Sequence, residues 1–207
     1  MKSIILAALV ITCALSAGCG SSNAPASSSP SPAAASAPAV HPISKESEQL
    51  YRKAVTAYGK GDHLNALELA NKALEKDSEN YKALSLKGII QAFDVSPEEG
   101  IKTVEKALAI NPNYVQADFD MAMAQKLGKH YDESICYFQK VLDKDPKNTW
   151  SWYGIATNYA DKRDKAKALE YLKKAVDLDP QNVKPQAAAQ DHFQWLHGDP
   201  DFQNLVK

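Results

Sequence analysis

WSWYGIATNYADKRDKAKALEYLKKAVDLDP, residues 150–180, decides the fold. Arg163-Asp164 interrupts two stretches of helical pattern. The second stretch carries Leu169, Leu172 and Val176 at i, i+3 and i+7, one face of a helix. Ala156 in the first stretch and Ala168 in the second supply the small side chains that two closely packed helices need. Asp179-Pro180 closes the segment, because proline ends one helix and is accepted in the first turn of the next. The segment reads as two packed helices joined by a short turn.

The same pattern recurs upstream. Pro112, Pro146 and Pro180 repeat every 34 residues, and Ser78 takes the equivalent earlier place. Asp77, Asn111, Asp145 and Asp179 precede these residues. Four units follow: 47–80, 81–114, 115–148 and 149–182. The small site of the first helix is Ala54, Gly88, Ala122 and Ala156; that of the second is Ala66, Gly100, Ser134 and Ala168. The apolar trios Leu67/Ala70/Leu74, Ile101/Val104/Leu108 and Ile135/Phe138/Leu142 match Leu169/Leu172/Val176. Scarce glycine and abundant alanine, leucine, lysine and glutamate agree with helix throughout.

These residues resemble the tetratricopeptide-repeat (TPR) family, whose period is 34 residues. The fourth unit is the closest match, through Trp152, Tyr159, Ala168, Ala175 and Pro180. The first is the weakest, with Ala54, Ala57 and Ser78 at sites where the family prefers glycine, an aromatic and proline. The resemblance covers residues 44–182 and implies an all-α, right-handed α-solenoid of four helix-turn-helix units. Residues 183–207 are expected to cap it, with Val183–Leu196 as one helix over the last repeat and a short final helix turning Phe202 and Leu205 inward. An array needs such a cap because its terminal apolar face would otherwise meet water.

The first helices of a TPR array line its concave face. In register, that places Tyr51, Val55 and Tyr58 there, then Lys82, Ser85, Ile89 and Phe93. The third unit adds Gln116, Phe119, Met123 and Lys126, and the fourth Trp150, Tyr153 and Thr157. The partner-binding set expected from this strip is Tyr51, Tyr58, Lys82, Ser85, Ile89, Phe119, Met123, Trp150, Tyr153 and Thr157. Aromatics and methionine suit protein recognition, and an extended peptide or a helix could lie along them. Packing between neighbouring units is the plainer use of some of these side chains. One TPR subset grips a C-terminal carboxylate with lysine and asparagine; Tyr51 and Val55 stand at those places here, which argues against that mode.

The N-terminus reads as an address. Met1-Lys2-Ser3 starts with positive charge, and Ile4–Ala17 is an apolar or small-residue run. The run is shorter than the roughly 20 residues of a membrane span and has the character of a signal-peptide core. Leu15-Ser16-Ala17-Gly18-Cys19 resembles a bacterial lipobox, with Ser16 where a branched apolar residue is usual. That reading makes 1–18 a signal peptide and Cys19 the lipidated residue, placing the protein in the bacterial cell envelope. Ordinary cleavage after a secretory signal is one alternative, and an uncleaved anchor a third reading. Residues 19–43, rich in serine, alanine and proline, lack the apolar content for a core and are expected to form a disordered tether.

Net charge is −1 with acids and bases interspersed, so nothing points to nucleic acid. The cysteines form no CxxC or Cys/His pattern, the histidines share no metal-binding spacing, and no catalytic or phosphate-cradling motif occurs. His63 and His130 fall in turns, where solvation is the ordinary expectation. Carboxylates read as solvated charge on outer helix faces. Cys136, beside Ile135 and Tyr137, reads as half-buried and unreactive. The sequence thus implies a non-enzymatic scaffold with no metal or cofactor, a membrane link through lipid, and a protein or peptide partner. Self-association of the array is the second reading, and an accessory role in an envelope enzyme the third.

Overall fold

A computed structural model describes residues 40–207; the expected signal segment, Cys19 and the expected tether up to position 39 lie outside the described residues. Eight helices pair in sequence: α1 (Lys45–Gly59) with α2 (His63–Lys76), and α3 (Tyr81–Asp94) with α4 (Pro97–Ile110). Then α5 (Val115–Leu127) pairs with α6 (Tyr131–Lys144), and α7 (Thr149–Asp161) with α8 (Lys165–Leu178). The first helices also touch one another in order, α1 to α3 to α5 to α7, so they form one row. Among the described residues there is no strand. This is the all-α helical-repeat architecture that the period implies.

Local chemistry sets the helix ends. Side chains of Ser44, Asp62, Asn80, Ser96, Asn148 and Asp164 accept backbone N–H bonds at the starts of α1, α2, α3, α4, α7 and α8. Each satisfies a donor that the first turn leaves open. Asp77, Asn111, Asp145 and Asp179 end the second helices in extended or irregular backbone.

Small residues let the helices meet. Ala54, Ala66, Ala122, Ser134, Ala156 and Ala168 are all fully buried. A Cβ on Gly88 would stand 2.5 Å from Val104 Cγ2, and one on Gly100 2.5 Å from the Ala92 Cβ. Ser134 fills its small site and donates its hydroxyl to the Ala122 carbonyl at 2.7 Å, while Asn158 Nδ2 donates to Ser134 Oγ. A similar device holds the cap of α3 against the first unit: Ser47 Oγ donates to the Ala73 carbonyl, and Asn80 Nδ2, at the start of α3, to Ser47 Oγ, each at 2.7 Å. Buried polar atoms thus carry hydrogen bonds between neighbouring units where an unpaired group would be costly.

The C-terminal cap differs from the single helix expected over Val183–Leu196. Helix α9 starts earlier, at Pro180, and ends at Ala189; Gln190 is extended, and Asp191–Leu196 forms a 3₁₀ turn. With three residues per turn, Phe193 and Leu196 fall on one side, and both are buried against the last unit. Helix α10 (Pro200–Val206) follows, with Phe202 buried and Leu205 packed against the same cluster.

Candidate functional site

The row of first helices carries two depressions. The first, of about 260 Å³, lies between α1, α3 and the start of α5. Tyr51, Val55, Tyr58, Lys82, Ile89 and Gln116 line it as the register implied; Leu86, Tyr114 and Asp120 complete it. Tyr51 and Tyr114 place their hydroxyls 3.3 Å apart. The second, of about 240 Å³, lies between α5, α7 and the cap. Phe119, Met123, Lys126, Trp150, Tyr153 and Thr157 line it, joined by Gly154, Gln186, Gln190 and His192. Trp150 is 44% exposed and stands edge-on to Tyr153, ring centroids 5.7 Å apart. A third depression, of about 400 Å³, lies between α4, α6 and the turn after α4, where lysines and acids alternate around Tyr137.

Ser85 departs from its expected place. It lines neither depression, is 1% exposed, and donates its hydroxyl to Asp120 Oδ2 at 2.5 Å. Its neighbours Leu84 and Leu86 are buried with it. Ser85 is therefore a support beneath the surface. Ile89, Tyr153 and Thr157 are also largely buried, yet each still forms part of a wall. Tyr153 donates its hydroxyl to Gln190 Oε1 at 2.9 Å, tying the second depression to the cap.

The expectation that carboxylates lie on solvated faces fails at α5. Asp118 and Asp120 are both buried. Lys144 Nζ pairs with Asp118 at 2.9 Å. Asp120 accepts from neutral donors, Ser85 Oγ and Gln116 Nε2, and burial pushes its carboxyl up to about 7. The sequence signal was its flanks: Phe119, Met121 and Ala122 belong to the core.

The second depression has its own polar cluster. Lys126 Nζ lies 3.6 Å from Asp161 and donates to Thr157 Oγ1. Burial outweighs the ion pair and pulls Lys126 down to about 8. Burial alone would raise Asp161, but the bonds from His192, at 2.7 Å, and Lys126 hold it below its ordinary range. The cap residues Gln190 and His192 were missed from sequence because their place depends on the chain reversal after α9.

The remaining histidines are engaged. His63 Nδ1 meets Asp94 at 2.9 Å and its ring stacks on Tyr58; His130 Nδ1 bonds Gln125 Oε1 at 2.8 Å. Cys136 is half-buried and engaged with a partner. Among the described residues no group of three His, Cys, Asp or Glu could hold a metal ion, and no helix is long and apolar enough to cross a membrane.

Stacked helix hairpins with one shared row of first helices define an all-α helical-repeat fold. A tetratricopeptide-repeat model matches residues 150–182, the fourth hairpin, and solved TPR structures share the fold of the chain. The chain is similar to Hsp70-Hsp90 organizing protein 3 of Arabidopsis thaliana, 24% identical over 161 residues, 77% of this chain and 24% of that protein. It spans 18% and 24% of the lengths of the curated relatives it matches. Among solved structures, TTC0263, a thermophilic TPR protein of Thermus thermophilus, superposes with a TM-score of 0.66 at 15% identity, covering 77% of this chain and 86% of that one. Pseudomonas aeruginosa pilF gives 0.63 at 15% identity, covering 78% and 68%. These structural likenesses concern the fold.

Proposed function

We propose that this protein is a non-enzymatic scaffold that holds a partner protein, as an extended peptide or a helix, along the row of α1, α3, α5 and α7. The observation that carries this reading is the pair of aromatic and apolar depressions in that row, built from successive first helices. Half-exposed Trp150 beside Tyr153 offers the rigid aromatic anchor that dominates many interfaces. The lipobox-like sequence supports an exported protein anchored to a membrane of the bacterial envelope through lipid on Cys19. Two or more acyl chains there would hold it stably where one would not.

The partner reading is tested by crosslinked capture in the native host with wild type, Phe119→Ala and Trp150→Ala. Truncating an anchor should weaken binding by about 1–2 kcal/mol or more, with helicity unchanged. An unchanged partner set from folded variants would remove this face as the site. The anchor reading is tested with labelled fatty acid: Cys19→Ala should abolish labelling and membrane retention, and an unlabelled, soluble wild-type protein would end it.

A further inference from the structure

The first depression contains a carboxylate that no cation among the described residues neutralises. Asp120 is 6% exposed and forms part of the wall. Its Oδ2 accepts from Ser85 at 2.5 Å and its Oδ1 from Gln116 at 2.8 Å, and both donors are neutral. Among the described residues Lys82 is the one cation lining the depression, and Glu48 already holds it at 3.1 Å. A buried charge without a counter-ion is costly, and the raised carboxyl pKa is the sign of that cost here.

The rest of the wall suits a cation with an apolar stem. Tyr51, Tyr58 and Tyr114 line it; ring faces attract ammonium groups within about 6 Å, as Lys82 Nζ at 5.9 Å from the Tyr51 centroid already shows, while His63 stacks on Tyr58. Leu86 and Ile89 give apolar surface for methylenes. A metal ion would need several oxygen ligands, and the depression has one carboxylate. Each Asp120 oxygen already accepts one bond, which suits a compact ammonium better than the two-pronged guanidinium of arginine.

We propose that the depression between α1, α3 and α5 is a recognition pocket for a lysine side chain of a partner polypeptide, its ammonium against Asp120 and its stem against Leu86 and Ile89. The proposal rests on the reading of the first-helix row as a partner-binding face. It gives that face a polarity: a basic residue docks between the first three units, and an apolar or aromatic residue docks beside Trp150.

The test uses the purified full chain and three peptides: acetyl-Ala-Leu-Lys-Leu-Ala-amide and the same peptide with norleucine or glutamate in place of lysine. Binding is read by amide chemical shifts of Tyr51, Leu86 and Ile89. The lysine peptide should bind about tenfold tighter than the norleucine peptide, the order expected for a close charge pair, and the glutamate peptide should not bind. In Asp120→Asn the lysine and norleucine peptides should bind alike, with the fold checked by circular dichroism. Equal binding of lysine and norleucine by wild type overturns the proposal and needs no variant; so does a lysine preference that survives Asp120→Asn. If norleucine and lysine peptides both bind this row equally, the partner-face reading stands while the lysine pocket falls. If no peptide shifts any residue of the row, the lysine pocket falls, and the capture experiment with Trp150→Ala decides the wider reading separately.

Discussion

Replacing Asp120 by asparagine should make the protein more stable at pH 8 and leave it nearly unchanged at pH 4. In the folded chain this carboxyl holds its proton to about pH 7, against an ordinary value of 3.8 in the unfolded chain. Between those values the folded state carries one proton more than the unfolded state. Stability therefore falls by about 1.4 kcal/mol for each pH unit as pH rises through this window. The contribution is fully present below the unfolded value and is lost by the time pH has passed the folded one. Across the window the ionised carboxylate costs the fold about 4 kcal/mol.

Asparagine has the same shape and no charge. Its oxygen can accept the Gln116 or Ser85 bond that Asp120 accepts now, and its amide can donate to the other once that group turns. Keeping a buried amide bonded still carries some desolvation cost, so the net gain at pH 8 is about 2–4 kcal/mol. In a chain of this size that is a rise in Tm of roughly 5–15 °C. Urea denaturation of wild type and variant, followed by circular dichroism at unit steps from pH 4 to pH 8, gives the difference directly. Other titrating groups are common to both proteins and drop out. A difference that stays flat with pH, or an asparagine variant less stable at pH 8, would refute the claim that Asp120 is buried without a counter-ion.

Four further substitutions probe the packing and the backbone. Gly154→Ala would drive its methyl into the Phe138 ring and should cost about 1–3 kcal/mol, whereas Gly59→Ala, with open space around it, should cost nothing and gain up to about 1 kcal/mol; equal denaturation midpoints for the pair would contradict the packing. Lys129 holds a left-handed backbone, φ 61°, at the turn where the first unit has Gly61 at 77°. Lys129→Gly should therefore stabilise by roughly 0.5–1 kcal/mol, and a loss in thermal melting would contradict the strain. Phe202→Ala removes a buried ring stacked 5.7 Å from Phe193 and should cost about 3–5 kcal/mol. Faster amide exchange should appear first in α7 and α8, and exchange that rises evenly along the array would deny α10 its capping role.

The fold was legible because repetition amplifies weak signals. Ala54 or Ser134 alone says little, yet small residues at matching places in every unit locate each helix crossing, and all of them are buried or tightly packed. Gly154 escaped notice because no other unit has glycine at its place; the Phe138 ring fills the space above it. The break at Gln190 escaped for a related reason. Helical spacing alone cannot distinguish a continued α-helix from a 3₁₀ turn that brings Phe193 and Leu196 together.

The site was legible in outline and not in its chemistry. Register put the aromatic residues on the first-helix row because position within the repeat sets which way a side chain points. It could not say how deep that side chain goes. Ser85 was expected at the surface and lies beneath it; Asp120 was grouped with solvated acids and lies in a wall. Both errors come from reading polar residues as exposed, a rule that fails where one polar group can satisfy another. Ser85 and Asp120 stand 35 positions apart, about one repeat, and they meet because α3 and α5 are neighbours in the row. The period that reveals the fold also brings polar residues of successive units into contact, so a buried polar pair in a repeat array is best sought one period apart. By that reasoning the charge of Asp120 is a property of two units together, and neither unit's sequence carries it alone.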